Sequence, residues 1–150
     1  MRCPALQLFS VTDCDQLSDD IFAQLSDAAR CPSLNAVRLD QCEGLVQATL
    51  AAPHLQSLTL SGCKRVTRLL LDCPQLTALD VTGCGERLET ARLWPVGLDA
   101  ELDLGICPHL TTLELHAPSL QALQLTGCGS LHTVQLACPT LDLLDATFCR

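Results

Sequence analysis

The sequence predicts an α/β chain leaning to mostly β, wound as a right-handed solenoid of about seven short stacked coils, a single domain over residues 1–150. Three observations lead there. Hydrophobic residues make up 48% of the chain, yet it has no Tyr, one Trp, three Phe and one Met, so its core is Leu, Val, Ile, Ala and Cys. A globular interior interlocks side chains of many sizes, and near-monotony of Leu points instead to one small packing solution used repeatedly. Cys14, Cys42, Cys63, Cys84, Cys107, Cys128 and Cys149 follow one another at intervals of 28, 21, 21, 23, 21 and 21 residues. A fixed period of this length is the mark of a repeat architecture. Finally, each of these cysteines ends a segment of the form L-x-x-L-x-L-x-x-C or a close variant, as from Leu55 to Cys63 and from Leu120 to Cys128.

Between the Cys-ended segments lies a second set that ends in Pro. It holds Leu45, Ala48 and Leu50 before Pro53, then Val66, Leu69 and Leu71 before Pro74, and continues to Leu131, Val134 and Leu136 before Pro139. The L-x-L core of either segment alternates with period two and predicts a short strand with one buried face. The preceding L-x-x-L step predicts a corner. Most coils thus carry two short parallel strands within 21 residues, and stack at the ~4.8 Å spacing of paired strands.

Two coils depart from this pattern. Between Cys14 and Cys31, Ile21, Phe22, Leu25, Ala28 and Ala29 follow helical spacing, with Ser18 as the expected N-cap. A helix therefore replaces the second strand of the first coil. Trp94 to Glu101 is the other departure: Pro95, Gly97 and Leu98 interrupt the pattern, and the 23-residue interval is read as a two-residue bulge there.

The net charge of −8 and the absence of an aromatic platform beside the basic residues argue against a nucleic-acid partner. No apolar stretch approaches the ~20 residues of a membrane span, and the N-terminus lacks a signal peptide's apolar region. Eleven cysteines without an export signal are expected to be reduced thiols in the cytoplasm or nucleus.

At these residues the chain resembles the cysteine-containing leucine-rich repeats of F-box proteins. Their consensus, C-P-x-L-x-x-L-x-L-x-x-C-x-x-L-S/T-D, is met closely from Cys3 through Cys14 to Leu17, Ser18 and Asp19. It is met again from Cys31 to Cys42 and from Cys73 to Cys84. The resemblance implies a leucine-rich-repeat solenoid that recruits substrate proteins to a cullin–RING ubiquitin ligase. Contact with that ligase's Skp1 adaptor is implied only if an F-box lies outside this chain, since none is recognisable within it. With no evident polar caps, the chain is expected to be part of a longer repeat array.

No cofactor, metal or catalytic group is expected. The seven periodic cysteines lie one per coil rather than converging on a point, and are read as a packing ladder whose S–H groups serve neighbouring carbonyls. His54, His109, His116 and His132 fall at unrelated phases of the coil, and no nucleophile motif occurs. A basic cluster offers more. Arg68 and Arg92 fall on outward positions of adjacent Pro-ended strands, with Lys64, Arg65 and Arg87 near the strand starts. Trp94 stands at the rim, and counting from its proline puts it in the place that Cys or Ala takes before Pro elsewhere. Arg and Trp are enriched at interface hot spots. The cluster is therefore the candidate site for an acidic segment of a protein partner.

Overall fold

A computed structural model describes residues 1–150 and shows a mostly β solenoid with parallel strands and one helix. About five turns carry a strand on both sides. About a third of the residues lie in strands. The Cys-ended segments form β1 (Leu8–Thr12), β2 (Ala36–Asp40), β4 (Ser57–Thr59), β6 (Ala78–Asp80), β8 (Glu101–Asp103), β10 (Ala122–Gln124) and β12 (Leu143–Asp145) on one side, the A face. The Pro-ended segments form β3 (Gln47–Ala51), β5 (Arg68–Asp72), β7 (Thr90–Leu93), β9 (Thr112–His116) and β11 (Thr133–Ala137) on the opposite B face. No helix is long and apolar enough to cross a membrane.

The two faces enclose a cluster of 38 buried apolar residues, with no buried polar residue among them. Period-two alternation sends Leu58 and Leu60 inward from the A side, and Leu69 and Leu71 inward from the B side. Parallel register places Leu58 between Val37 and Leu79, and Leu69 between Ala48 and Ala91. Each coil corner is closed by a residue with positive φ directly before the periodic cysteine. Gly62, Gly83 and Gly127 hold it at no steric cost, whereas Ile106 takes it at φ 56. A β-branched residue there is strained.

The helix α1 (Asp20–Ser26) is shorter than the hydrophobic spacing implies, and Ser18 is not its cap. The Ser18 hydroxyl reaches only the Asp20 carboxylate, at 3.4 Å. Asp19 stands at the N-cap but turns its carboxylate away from the helix, accepting the Val46 and Gln47 amides at 2.8 and 3.1 Å. At the other end of α1 the Ser26 hydroxyl accepts the Ala51 amide at 3.1 Å. The side chains of the first coil therefore satisfy the Val46, Gln47 and Ala51 amides along the edge of β3 that no strand covers. An unsatisfied strand edge invites pairing with other chains, and α1 removes that opportunity.

The A sheet is not continuous. It divides into β1-β2-β4-β6 and β8-β10-β12, while the five B strands run unbroken through the same coils. The cause corrects the expectation of one two-residue bulge at Trp94–Glu101. From periodic cysteine to the next inward apolar residue takes three positions in other coils, as in Cys63 to Val66, but four from Cys84 to Leu88. Likewise Leu76 to Leu79 takes three positions, and Leu98 to Leu102 takes four. One extra residue after β6 and one before β8 shift these two strands out of pairing range.

Candidate functional site

The ladder cysteines show what the repeated corner requires. The Cys63, Cys84, Cys128 and Cys149 thiols donate to the carbonyls of Leu39, Leu60, Leu104 and Leu125 at 2.8, 2.6, 3.2 and 3.1 Å. Each acceptor lies one coil earlier, so the thiol ties successive coils. Cys42 makes a longer contact with Val11, at 3.9 Å. Cys107 turns to Gly105 at 3.7 Å instead, because the break in the A sheet removes its acceptor. Cys14 departs from the expected buried ladder: it is exposed.

All eleven cysteines are unbridged, and no three His, Cys, Asp or Glu side chains converge to hold a metal ion. Burial lifts the Cys73 thiol to about 11. Cys84 is pushed up as well, by hydrogen bonding with the Cys63 thiol first and by burial second. Alkylation requires the thiolate. Native iodoacetamide treatment should therefore modify Cys14 first, and mass spectrometry should find Cys73 and Cys84 modified at least about a hundredfold more slowly, on local unfolding. Equal rates would contradict the buried ladder.

The B face brings together part of the predicted basic cluster. Its outward side chains form a grid whose register is fixed by the strand pairs. Arg68 stands beside Thr90, and Leu70 beside Arg92, so the two arginines are two residues out of phase on adjacent strands. Both are exposed, as are Lys64, Arg65 and Arg87 at the corners. The charges are not uniformly free, however. Arg92 Nε lies 3.5 Å from Glu114 Oε2 on β9, and Lys64 Nζ lies 3.9 Å from Glu86 Oε1. Arg65, Arg68 and Arg87 have no ion-pair partner within the chain.

Trp94 does not occupy the Cys or Ala place before Pro. Five positions separate Leu71 from Leu76 and Leu93 from Leu98, which aligns Pro95 with buried Cys73 and Trp94 with exposed Asp72. Pro95 arrives one residue early, so counting from proline misplaces the indole. The Trp94 amide bonds the Leu71 carbonyl at 2.8 Å, and its side chain is 39% exposed on the outer face. There it lines a shallow depression of about 240 Å³ with Glu114, His116, Gln135 and Ala137. His116 is the member that sequence reasoning missed, and counting from the strand leucines rather than from proline would have found it.

The assembled site is a flat sheet face with one indole and an Arg–Glu pair toward the strand ends, and three unpaired arginines at or before the strand starts. Such groups offer stacking, hydrogen bonding and charge. Comparison with protein-family models and with curated proteins finds no match to this chain.

Proposed function

We propose that this chain is a protein-interaction module whose B face docks an acidic segment of its partner. The observation that carries the reading is the exposed Trp94 beside the Arg92–Glu114 pair, on a five-stranded sheet that nothing covers. The interior is wholly apolar and Arg65, Arg68 and Arg87 are exposed, so none of them serves packing, while the indole keeps 39% of its surface open to solvent. Counting the helical first turn and all seven A strands, we read the stack as seven leucine-rich-repeat coils. Their resemblance to F-box repeats supports a role as substrate-recognition repeats of an F-box-type ubiquitin ligase subunit. The alternative is a scaffold unrelated to ubiquitination, for which the same Leu and Cys rows would serve packing alone.

The test uses Arg68→Glu with Arg87→Glu, leaving Arg92 and its ion pair intact. Both side chains are exposed, so the melting temperature should hold. Recovery of bound proteins from cell extract should fall at least about tenfold, equivalent to ~1.4 kcal/mol. The control is Asp80→Lys with Asp145→Lys on the A face. Binding that survives the basic-face change and is lost in the control would move the interface to the other sheet. Co-recovery of a cullin–RING ligase with the complete gene product would separate the ubiquitin reading from the scaffold one.

A further inference from the structure

The break between β6 and β8 leaves specific backbone groups without backbone partners, the Gly105 carbonyl meeting only the Cys107 thiol at 3.7 Å. At other A-side junctions two amides cross to the next coil. Leu60 and Gly62 donate to Asp80 and Thr82 at 2.8 Å each, and Leu104 and Ile106 donate to Gln124 and Thr126 at 2.9 and 2.7 Å. The equivalent amides of Val81 and Gly83 donate to no backbone acceptor, and the carbonyls that would receive them, Asp103 and Gly105, accept no backbone amide. One wall of the gap thus presents two N–H groups and the other two C=O groups, spaced as along a strand. Between them lies a cleft of about 330 Å³. The Gly97 amide to Pro74 carbonyl bond, 3.0 Å, and the tight approach of Gly85 to the Ile106 carbonyl close its corners.

Three further features lie on the strands and corners that border this cleft, whose lining also holds the Lys64–Glu86 pair. Leu79 on β6 is only partly buried, whereas its counterparts Leu58, Leu102 and Leu123 are fully buried. Ile106, strained at φ 56, is 79% exposed at the cleft mouth. Asp80 and Asp103 stand on the outer face of the two strands that border the gap. Each commits one carboxylate oxygen to its own turn, at 2.9 Å to the Thr82 amide and 2.8 Å to the Gly105 amide. The second oxygen of each accepts no bond.

We propose that this A-face cleft receives a short extended peptide from a partner, added between β6 and β8, with a Lys or Arg side chain held outward between Asp80 and Asp103. Only an extended backbone offers donors to one wall and acceptors to the other at two-residue spacing, which is how peptides extend sheets. Alternation then fixes the side chains: apolar neighbours of the basic residue turn inward toward Leu79, while the basic residue turns outward. The closed corners and the cleft's volume exclude a helix, whose diameter is about 10–12 Å. The site lies opposite Trp94 and does not rest on the B-face reading.

The probe is the synthetic peptide acetyl-Ser-Leu-Lys-Leu-Ser-amide, which repeats the alternation of the chain's own A strands, compared with its Glu counterpart. By fluorescence anisotropy the Lys peptide should bind at least about tenfold more tightly than the Glu peptide. In hydrogen exchange, the Val81 and Gly83 amides should exchange readily in the free protein and gain protection with the Lys peptide. Asp80→Asn with Asp103→Asn keeps the turn hydrogen bonds but removes the charges, and should erase the preference for Lys. Arg68→Glu with Arg87→Glu should leave peptide binding unchanged, so failure of the B-face reading does not touch this one. Equal binding of the two peptides, or Val81 and Gly83 amides unprotected by the Lys peptide, overturns the proposal.

Discussion

Leu58→Ala and Leu123→Ala should each lower stability by about 3–5 kcal/mol, among the largest losses a single truncation can produce. Both side chains are fully buried at mid-strand, and each is flanked on its sheet by leucine or valine in the coils on either side. Removing the isobutyl group forfeits its transfer free energy and leaves a hole. That hole is slow to fill, because the parallel ladders hold the neighbouring coils at a fixed spacing near ~4.8 Å. Thr59→Ala and Gln124→Ala, one position along and facing outward, should change stability by no more than about 0.5 kcal/mol. Chemical denaturation resolves the two classes. Equal losses for inward and outward positions would mean that the alternation has been assigned to the wrong face.

Asp19→Ala is expected to cost about 2–4 kcal/mol, far more than a partly exposed helix-start carboxylate normally contributes. Its two oxygens accept the Val46 and Gln47 amides, and hydrogen bonds to a charged acceptor each contribute roughly 1.5–3 kcal/mol. Alanine would leave both donors on a strand edge that α1 partly shields from water. Asn should recover part of the loss, since its single carbonyl oxygen can accept one amide well. Asp20→Ala is the matched control. Asp20 is exposed and meets only the Ser18 hydroxyl, so its removal should stay within about 0.5 kcal/mol. Urea titration with an unchanged slope would confirm that stability, rather than the compactness of either state, has moved. A loss for Asp19→Ala no larger than the control's would show that the edge is satisfied by other means.

The repeating part of this fold was legible because its physics is local. Period two forces Leu58 and Leu60 to one face, and a 21-residue spacing leaves parallel stacking as the way to bury them together. The site was legible only in part. Arg68 and Arg92 lie on the strands and in the phase that counting assigns them. Trp94 does not, because its proline comes one residue early and the backbone ladder, not the proline, sets the alignment. The Arg92–Glu114 and Lys64–Glu86 pairs depend on side-chain reach between coils, which no single segment encodes. The expected Ser18 cap failed for a related reason: the N-cap position falls to Asp19, whose carboxylate serves an amide 27 residues on rather than its own helix, a choice only the tertiary contact decides.

The unbroken B ladder beside the divided A sheet has a consequence for how the chain unfolds. In a stack, each coil touches only its neighbours, and stability propagates as a chain of nearest-neighbour couplings. At every other A-side step that coupling includes backbone bonds between the strands or their turns, and at most of them a thiol link as well; between β6 and β8 neither exists, and the Gly97–Pro74 bond at the corner is what remains. The weakest coupling therefore falls in the middle of the molecule rather than at an end. The four A strands before it and the three after it are joined on the other side by the pairing of β5, β7 and β9, and should unfold as two blocks hinged there. A tug, a denaturant or a bound strand acts first on that hinge, and one block can loosen while the other keeps its order.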